Sequence, residues 1–244
     1  MKTQSNNLAV LICMMVSLLA INPMIAQNKL RGNGNVVTQE RTISTFNEII
    51  VNGVYNVYLS QGQNESVKVE TDENLQEAVI VKNKGNALVL GWKKGISVKR
   101  KTKMNVYVTL KDIAKLEVKG VGNVKTSSKL SLNTLDVEAS GVGNASLELD
   151  CKKLDGEISM VGNFTLKGKV AEVILDNNGT GALRAFDLVA QKLEINNSGI
   201  GKVEVNAQQE INITSSGIGS VYYKGNAKTT KLDHRGMGKI KKVD

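Results

Sequence analysis

Gly120-Val121-Gly122-Asn123-Val124, Gly141-Val142-Gly143-Asn144-Ala145 and Met160-Val161-Gly162-Asn163-Phe164 are three copies of one phrase. Four more follow: Gly179-Thr180-Gly181-Ala182-Leu183, Gly199-Ile200-Gly201-Lys202-Val203, Gly217-Ile218-Gly219-Ser220-Val221 and Gly236-Met237-Gly238-Lys239-Ile240. The second glycines stand 18 to 21 residues apart. A period near nineteen, held over half the chain, is the mark of a stacked-repeat architecture.

Aligned on the glycine pair, the copies show where apolar residues recur. The residue between the glycines and the second residue after the pair (Val124, Ala145, Phe164, Leu183, Val203, Val221, Ile240) are almost all apolar. Upstream, six and four residues before the first glycine, stand Leu135 and Val137, Val173 and Leu175, Leu193 and Ile195, Ile211 and Ile213. This is period-two alternation on both sides of a glycine corner. The intervening residue is expected to face the core together with the other apolar columns. One rung cannot bury its apolar face alone, whereas stacked rungs give each column a continuous ladder. The fold class is therefore all-β, a parallel β-helix (solenoid) with rungs of about 19 residues. Met160 breaks the glycine rule and Thr180 the apolar rule, so local irregularity is expected near those rungs.

The start of the chain has a different texture. Lys2, an apolar run from Leu8 to Ala20 and Pro23 precede Met24-Ile25-Ala26, the layout of a secretory signal peptide cut after Ala26. The run is shorter than the ~20 residues that span a bilayer, so no transmembrane segment is expected after cleavage. Removal of 1–26 takes away Lys2 and no acid, leaving 31 basic against 23 acidic residues, a net charge of +8. Cys151 is then the sole cysteine, which excludes a disulfide framework and a cysteine metal site. Its simplest role is that of a small buried hydrophobe. Residues 27–40 read as a flexible lead-in, polar and glycine-rich. Residues 41–244 read as a single solenoid domain, with seven clear repeats from about 114 onward. Within it, strands are expected on either side of Asn52-Gly53, at 66–71, at 78–82 and 87–91 around a Lys84-Gly85-Asn86 turn, and at 104–110. How the strands of 41–110 wind relative to the repeats does not follow from their pattern.

The repeats, together with Phe46-Asn47-Glu48-Ile49-Ile50-Val51-Asn52-Gly53-Val54 upstream, resemble the head domain called GIN, an autotransporter-adhesin head family of secreted Bacteroidetes proteins. The resemblance runs from about Phe46 through Gly219. It implies a right-handed parallel β-helix and an adhesin, and brings with it no catalytic motif and no ligand.

The glycines themselves (Gly120, Gly122, Gly141, Gly143, Gly162, Gly179, Gly181, Gly199, Gly201, Gly217, Gly219, Gly236 and Gly238) read as structural corners, since glycine adopts backbone angles that other residues resist. Two surface constellations are candidates for function. Asp136, Glu138, Asp155 and Glu157 fall on outward columns of neighbouring rungs and form a two-by-two carboxylate patch. Paired carboxylates can divide acid and base duties on a carbohydrate; alternatively they are a solvated face compensated by Lys115, Lys119, Lys152 and Lys153. The second is Lys93, Lys94, Lys99, Arg100, Lys101 and Lys103, six cations in eleven residues. They suit an anion-binding loop for acidic polysaccharide, lipid phosphate or nucleic acid, or a solvated tip that blocks edge pairing. Nucleic acid fits least well, since only Trp92 lies nearby to stack on bases and the chain is exported. No cofactor and no metal site are expected: His234 is the only histidine, and aspartates do not follow the glycines as a calcium repeat requires.

Three functions follow from this reading: an exported, non-enzymatic binding or adhesion module of the cell envelope, with a glycan or another envelope or host surface protein as partner; a carbohydrate-active enzyme using the carboxylate patch; or a structural envelope protein. After the last rung only Lys241-Lys242-Val243-Asp244 remain, so either homo-oligomers form through the solenoid end or Lys239, Lys241 and Lys242 protect it.

Overall fold

A computed structural model describes residues 28–244; the signal-peptide expectation lies outside the described residues. The N-terminal part comprises β1 (Asn28–Arg31), β2 (Val36–Arg41), β3 (Glu48–Val51), β4 (Asn56–Gln61) and β5 (Ser66–Asp72). A 3-10 turn, Glu73–Ala78, leads to β6 (Val79–Lys84), β7 (Ala87–Trp92), β8 (Ile96–Arg100) and β9 (Met104–Leu110). The repeats supply β10 (Lys115–Val118), β11 (Val121–Thr126), β12 (Leu130–Ala139), β13 (Val142–Ile158), β14 (Phe164–Asn177) and β15 (Leu183–Arg184). They continue through β16 (Leu188–Asn197), β17 (Val203–Ser215), β18 (Val221–Lys224), β19 (Lys228–His234) and β20 (Ile240–Lys242).

The molecule is a β-solenoid of about seven turns with rungs near nineteen residues. Equivalent positions of the repeat stack in parallel register. Leu116 pairs with Val137, Val137 with Gly156, Gly156 with Leu175, Leu175 with Ile195, Ile195 with Ile213 and Ile213 with Leu232. Beyond the corner, Phe164, Leu183, Val203, Val221 and Ile240 form a second ladder. Both ladders are buried until the final rung, where Leu232 is 43% exposed, with no further strand stacked on it among the described residues. A buried side chain of this size stabilises the fold by about 2 kcal/mol, so the interior columns hold the rungs together.

The strands of 41–110 wind out of sequence order. β3 lies between β7 and β10, and β4 between β9 and β11, so residues 48–61 form the first rung. Val54 bridges to Val121 just as Val121 pairs with Val142. Asn52-Gly53-Val54-Tyr55-Asn56 is thus an eighth corner, with Tyr55 in the place of the second glycine. Gly53 makes that exchange fit, because a Cβ there would come within 2.1 Å of the Tyr55 ring. After β4 the chain leaves the stack and returns as β7 and β9, which pair with the first rung from the other side. Antiparallel β6 covers β7, β5 covers β9, and β2 covers β5. The outer edges of β7 and β9 are therefore covered, and β6 and the half-exposed β2 become the edge strands of this end.

Three expectations need correction. The stretch 27–40, read as a flexible lead-in, is largely paired: β1 runs parallel to β8, and β2 pairs antiparallel with β5. Its polar residues fooled the pattern because β2 is a half-exposed capping strand, with no face in the central core. Irregularity does not mark the register at Met160 or Thr180; Val142, Val161, Thr180 and Ile200 bridge in unbroken succession. Met160 fits because its side chain is buried within the core. Register shifts fall instead between Ala190 and Lys192 and between Ile211 and Asn212, where rungs differ in length.

The third correction concerns the corner. The residue between the glycines does not face the core. Val121, Val142, Val161, Ile200 and Ile218 are each about half exposed, and Met237 is 71% exposed. Alternation explains why: with Leu116, Val118 and Val124 inside, positions 120 and 122 share the inward parity and 121 does not. The glycine positions take the inward parity; the first of them also admits the buried Met160, while at the second position of the seven repeats only glycine fits. A Cβ on Gly143 would lie 1.7 Å from the Gly122 carbonyl oxygen, and the second glycines adopt φ between +128° and +141°.

Candidate functional site

The outward positions of the rungs are stacked as regularly as the inward ones, so surface chemistry comes in columns. The predicted carboxylate patch is real as geometry: Asp136 is opposite Asp155, and Glu138 opposite Glu157. Lysine compensates three of the four carboxylates, Asp136, Glu138 and Asp155. Lys115 bonds Glu138 and lies 3.8 Å from Asp136, Lys153 lies 3.8 Å from Asp155, and Lys119 pairs with Glu117 at 2.6 Å. The hydrogen bond to Glu138, aided by Asp136, holds the Lys115 ammonium above the ordinary lysine range. Lys152 makes no ion pair among the described residues. Asp136, Asp155 and Glu157 are exposed on an open sheet face. Such screened surface pairs contribute up to about 1 kcal/mol each.

Down the same face the column changes from charge to amide and hydroxyl: Glu157, Asp176, Asn196 and Thr214. Beside it, just ahead of the corner, run Asn178, Ser198 and Ser216. Together these residues line a shallow polar groove of about 220 Å³. Asn196 donates to Asp176 at 2.9 Å, and the Ser198 hydroxyl donates to Asn178. Beneath the groove a buried ladder fixes the backbone. Asn177 Nδ2 donates to Asn197 Oδ1 at 2.7 Å, and Asn197 Nδ2 donates to Ser215 Oγ at 3.1 Å. Strand alternation divides these polar residues between the buried ladder and the outward column.

A second amide ladder runs along the other flank of the corner and was not anticipated. Asn56 donates to Asn105, Asn123 to Asn56, Asn144 to Asn123 and Asn163 to Asn144, at 2.9–3.2 Å. At its head, Asn105 and the Tyr107 hydroxyl both donate to Glu70 at 2.8 Å. With Lys103 at 2.9 Å these bonds hold the Glu70 carboxyl below its usual range. Its signal was the asparagine that follows the second glycine in the first three copies.

The six cations predicted as an anion-binding loop belong partly to β8, which forms a two-stranded ribbon with β1 apart from the main sheet. Only Lys103 has a carboxylate partner among the described residues. Lys101 donates to the Val54 carbonyl at 2.8 Å. The segment is anchored by Asp72, whose buried carboxylate accepts from the Thr102 and Gly34 amides at 2.8 and 2.7 Å and from the Thr102 hydroxyl at 2.9 Å. Burial works to raise the Asp72 pKa, but these hydrogen bonds outweigh it and leave it below the usual value.

Two single groups lie apart from these columns. Cys151 is buried, and desolvation raises its thiol to about 11, leaving it protonated and unreactive. His234 is an exposed residue of the last full strand, in contact with the Gly238 carbonyl. Among the described residues no three His, Cys, Asp or Glu side chains converge as a metal site, and no helix is long and apolar enough to cross a membrane.

This arrangement has known counterparts. A putative adhesin from Bacteroides fragilis matches 88% of this chain and 100% of its own, at 28% identity and a TM-score of 0.83. A putative adhesin from Parabacteroides distasonis matches the same share of each chain, at 22% identity and a TM-score of 0.66, a likeness of fold. No curated protein sequence matches. The model of the family described as putative auto-transporter adhesin, head GIN domain, matches residues 45–227. Since that range takes in the first rung and nearly all the repeats, the chain belongs to this GIN head-domain family.

Proposed function

We propose that the protein is an exported, non-enzymatic binding and adhesion module of the cell envelope, and that its ligand is a glycan. The observation that carries this reading is the groove of Asp176, Asn178, Asn196, Ser198, Thr214 and Ser216. It presents amide, hydroxyl and carboxylate groups at rung spacing on a rigid sheet. Sugars are recognised by such fixed donors and acceptors, and a rigid scaffold lowers the ordering cost of binding. Export rests on the N-terminal segment and on the family's adhesins. The enzyme reading is the weaker one because the carboxylate patch is open and three of its four carboxylates, Asp136, Glu138 and Asp155, lie beside lysine.

A glycan array and an acidic-polysaccharide degradation assay on the same purified protein test the proposal. Binding without turnover is expected, with the signal reduced tenfold or more by Asn196→Ala or Thr214→Val. Turnover abolished by Glu138→Gln would establish the enzyme instead, and neither binding nor turnover would leave a structural role. For that role the relevant feature is the final rung, whose uncovered Leu232 and Met237 lie beside Lys239, Lys241 and Lys242. A monomer in light scattering at high concentration and high salt would exclude end-to-end assembly.

A further inference from the structure

The first corner differs from the other seven because something overhangs it. β8 and the segment 101–104 pass over Val54 and border a half-open cavity of about 340 Å³, within the size range of small-molecule sites. Its apolar lining comes from Val54, Trp92, Ile96, Val98 and Met104. The Trp92 indole is fixed by donating to the Ile96 carbonyl at 3.1 Å. Lys99, Arg100 and Lys101 line the same cavity, and none of them has a carboxylate partner among the described residues. A neighbouring cleft of about 360 Å³ shares Val54, Lys101 and Met104 and reaches Val121. From there the exposed apolar crest continues through Val142 and Val161 at the ~4.8 Å spacing of adjacent strands.

An apolar cavity bordered by unpaired cations is complementary to a molecule with an apolar body and an anionic head. We propose that the cavity beneath β8 binds a free single-chain anionic amphiphile, its carboxylate at Lys99, Arg100 and Lys101 and its alkyl chain against Trp92, Val98 and Met104. Three features favour this class over others. The lining is too apolar for an acidic sugar, whose hydroxyls would lose their hydrogen bonds on entry. A free inorganic anion would use the cations and leave the apolar walls unused. A membrane surface would need an exposed apolar patch, whereas Met104 is buried and Trp92, Ile96 and Val98 are only partly exposed. A cavity of this size takes a small molecule, so a medium-length alkyl chain such as that of decanoate is a suitable probe. Partial desolvation already lowers the Lys101 pKa, a penalty that a bound carboxylate would relieve. The site shares no residue with the polar groove, so it stands or falls independently of the glycan reading.

Trp92 is the only tryptophan in the chain, which makes its fluorescence a direct reporter of the cavity. Decanoate, titrated below its aggregation concentration, should give a saturable change in Trp92 emission, with decanol at least tenfold weaker. The double variant Arg100→Gln/Lys101→Met should weaken decanoate tenfold or more and leave decanol unchanged. Both of its positions are exposed, and an unchanged thermal transition checks its fold. Val54→Asn, on the exposed crest, should weaken both ligands. No saturable change with decanoate, equal affinity for decanol, or full affinity in the double variant would each overturn the proposal. So would binding to phosphatidylglycerol vesicles without binding of decanoate, which would mark a membrane-facing surface instead.

Discussion

At the scale of single residues, the structure turns on a column with no side chains. Gly143 and Gly162 each face the carbonyl of the preceding rung so closely that an added Cβ would lie 1.7 Å from it. Gly143→Ala therefore forces rungs apart and strains φ as well, and should cost about 3 kcal/mol or more in urea denaturation. Gly85→Ala is its control: φ is also positive, but nothing lies within 4 Å of the new methyl, so the cost should stay near 1 kcal/mol. The apolar neighbour behaves oppositely. Val142→Thr, half exposed, should change stability by no more than about 0.5 kcal/mol, whereas Leu147→Ala, fully buried, should cost about 2–5 kcal/mol. Asp72 supplies the pH-dependent counterpart. Its folded pKa is depressed, so its contribution is complete above the unfolded value near 3.9 and is lost as pH falls through the folded one. Asp72→Asn should cost about 1–3 kcal/mol at neutral pH. Urea titrations should show the difference from the parent shrinking as pH drops below about 4.

Individual strands were legible wherever one face is buried by its own repeat. Val67 and Val69, Val106 and Val108, and the Lys84-Gly85-Asn86 turn gave their elements away by alternation and turn chemistry alone. The corner was misread from the same alternation, because Val121 and Val124 are three residues apart and cannot share a face. What period-two patterning could not show was order: nothing in Ile49-Ile50-Val51 says that it pairs with both Ala87–Leu90 and Lys115–Val118. That pairing depends on the antiparallel cap folding back, a long-range choice without a local signature. The carboxylate patch was legible because stacking converts sequence period into neighbours. The cavity beneath β8 was not, since it needs a ribbon of β1 and β8 whose residues carry no repeat. The buried Asn177–Asn197–Ser215 ladder gives a test at this scale. Asn197→Ala removes the partner of both neighbours, and should lower stability by about 1–3 kcal/mol in chemical denaturation.

For the molecule as a whole, one phrase sets a translation that is repeated along the stack, and each outward column becomes a row of functional groups on a stiff rod. The N-terminal end is closed by antiparallel strands and the repeat itself is modular, so a rung should be removable as a unit. Deleting residues 144–162 removes one nineteen-residue period and joins Val142-Gly143 to Asn163-Phe164, restoring the phrase. Deleting residues 144–153 removes half a period and places inward columns against outward ones. The decisive measurement is urea denaturation of both proteins followed by circular dichroism. The full-period deletion should keep its β signal and one cooperative transition, with the denaturant slope reduced by roughly a tenth in proportion to the chain removed, while the half-period deletion should be unfolded without denaturant. If the full-period deletion were as unfolded as the half-period one, the rungs would not be interchangeable units and the stacked reading of the glycine phrase would be contradicted.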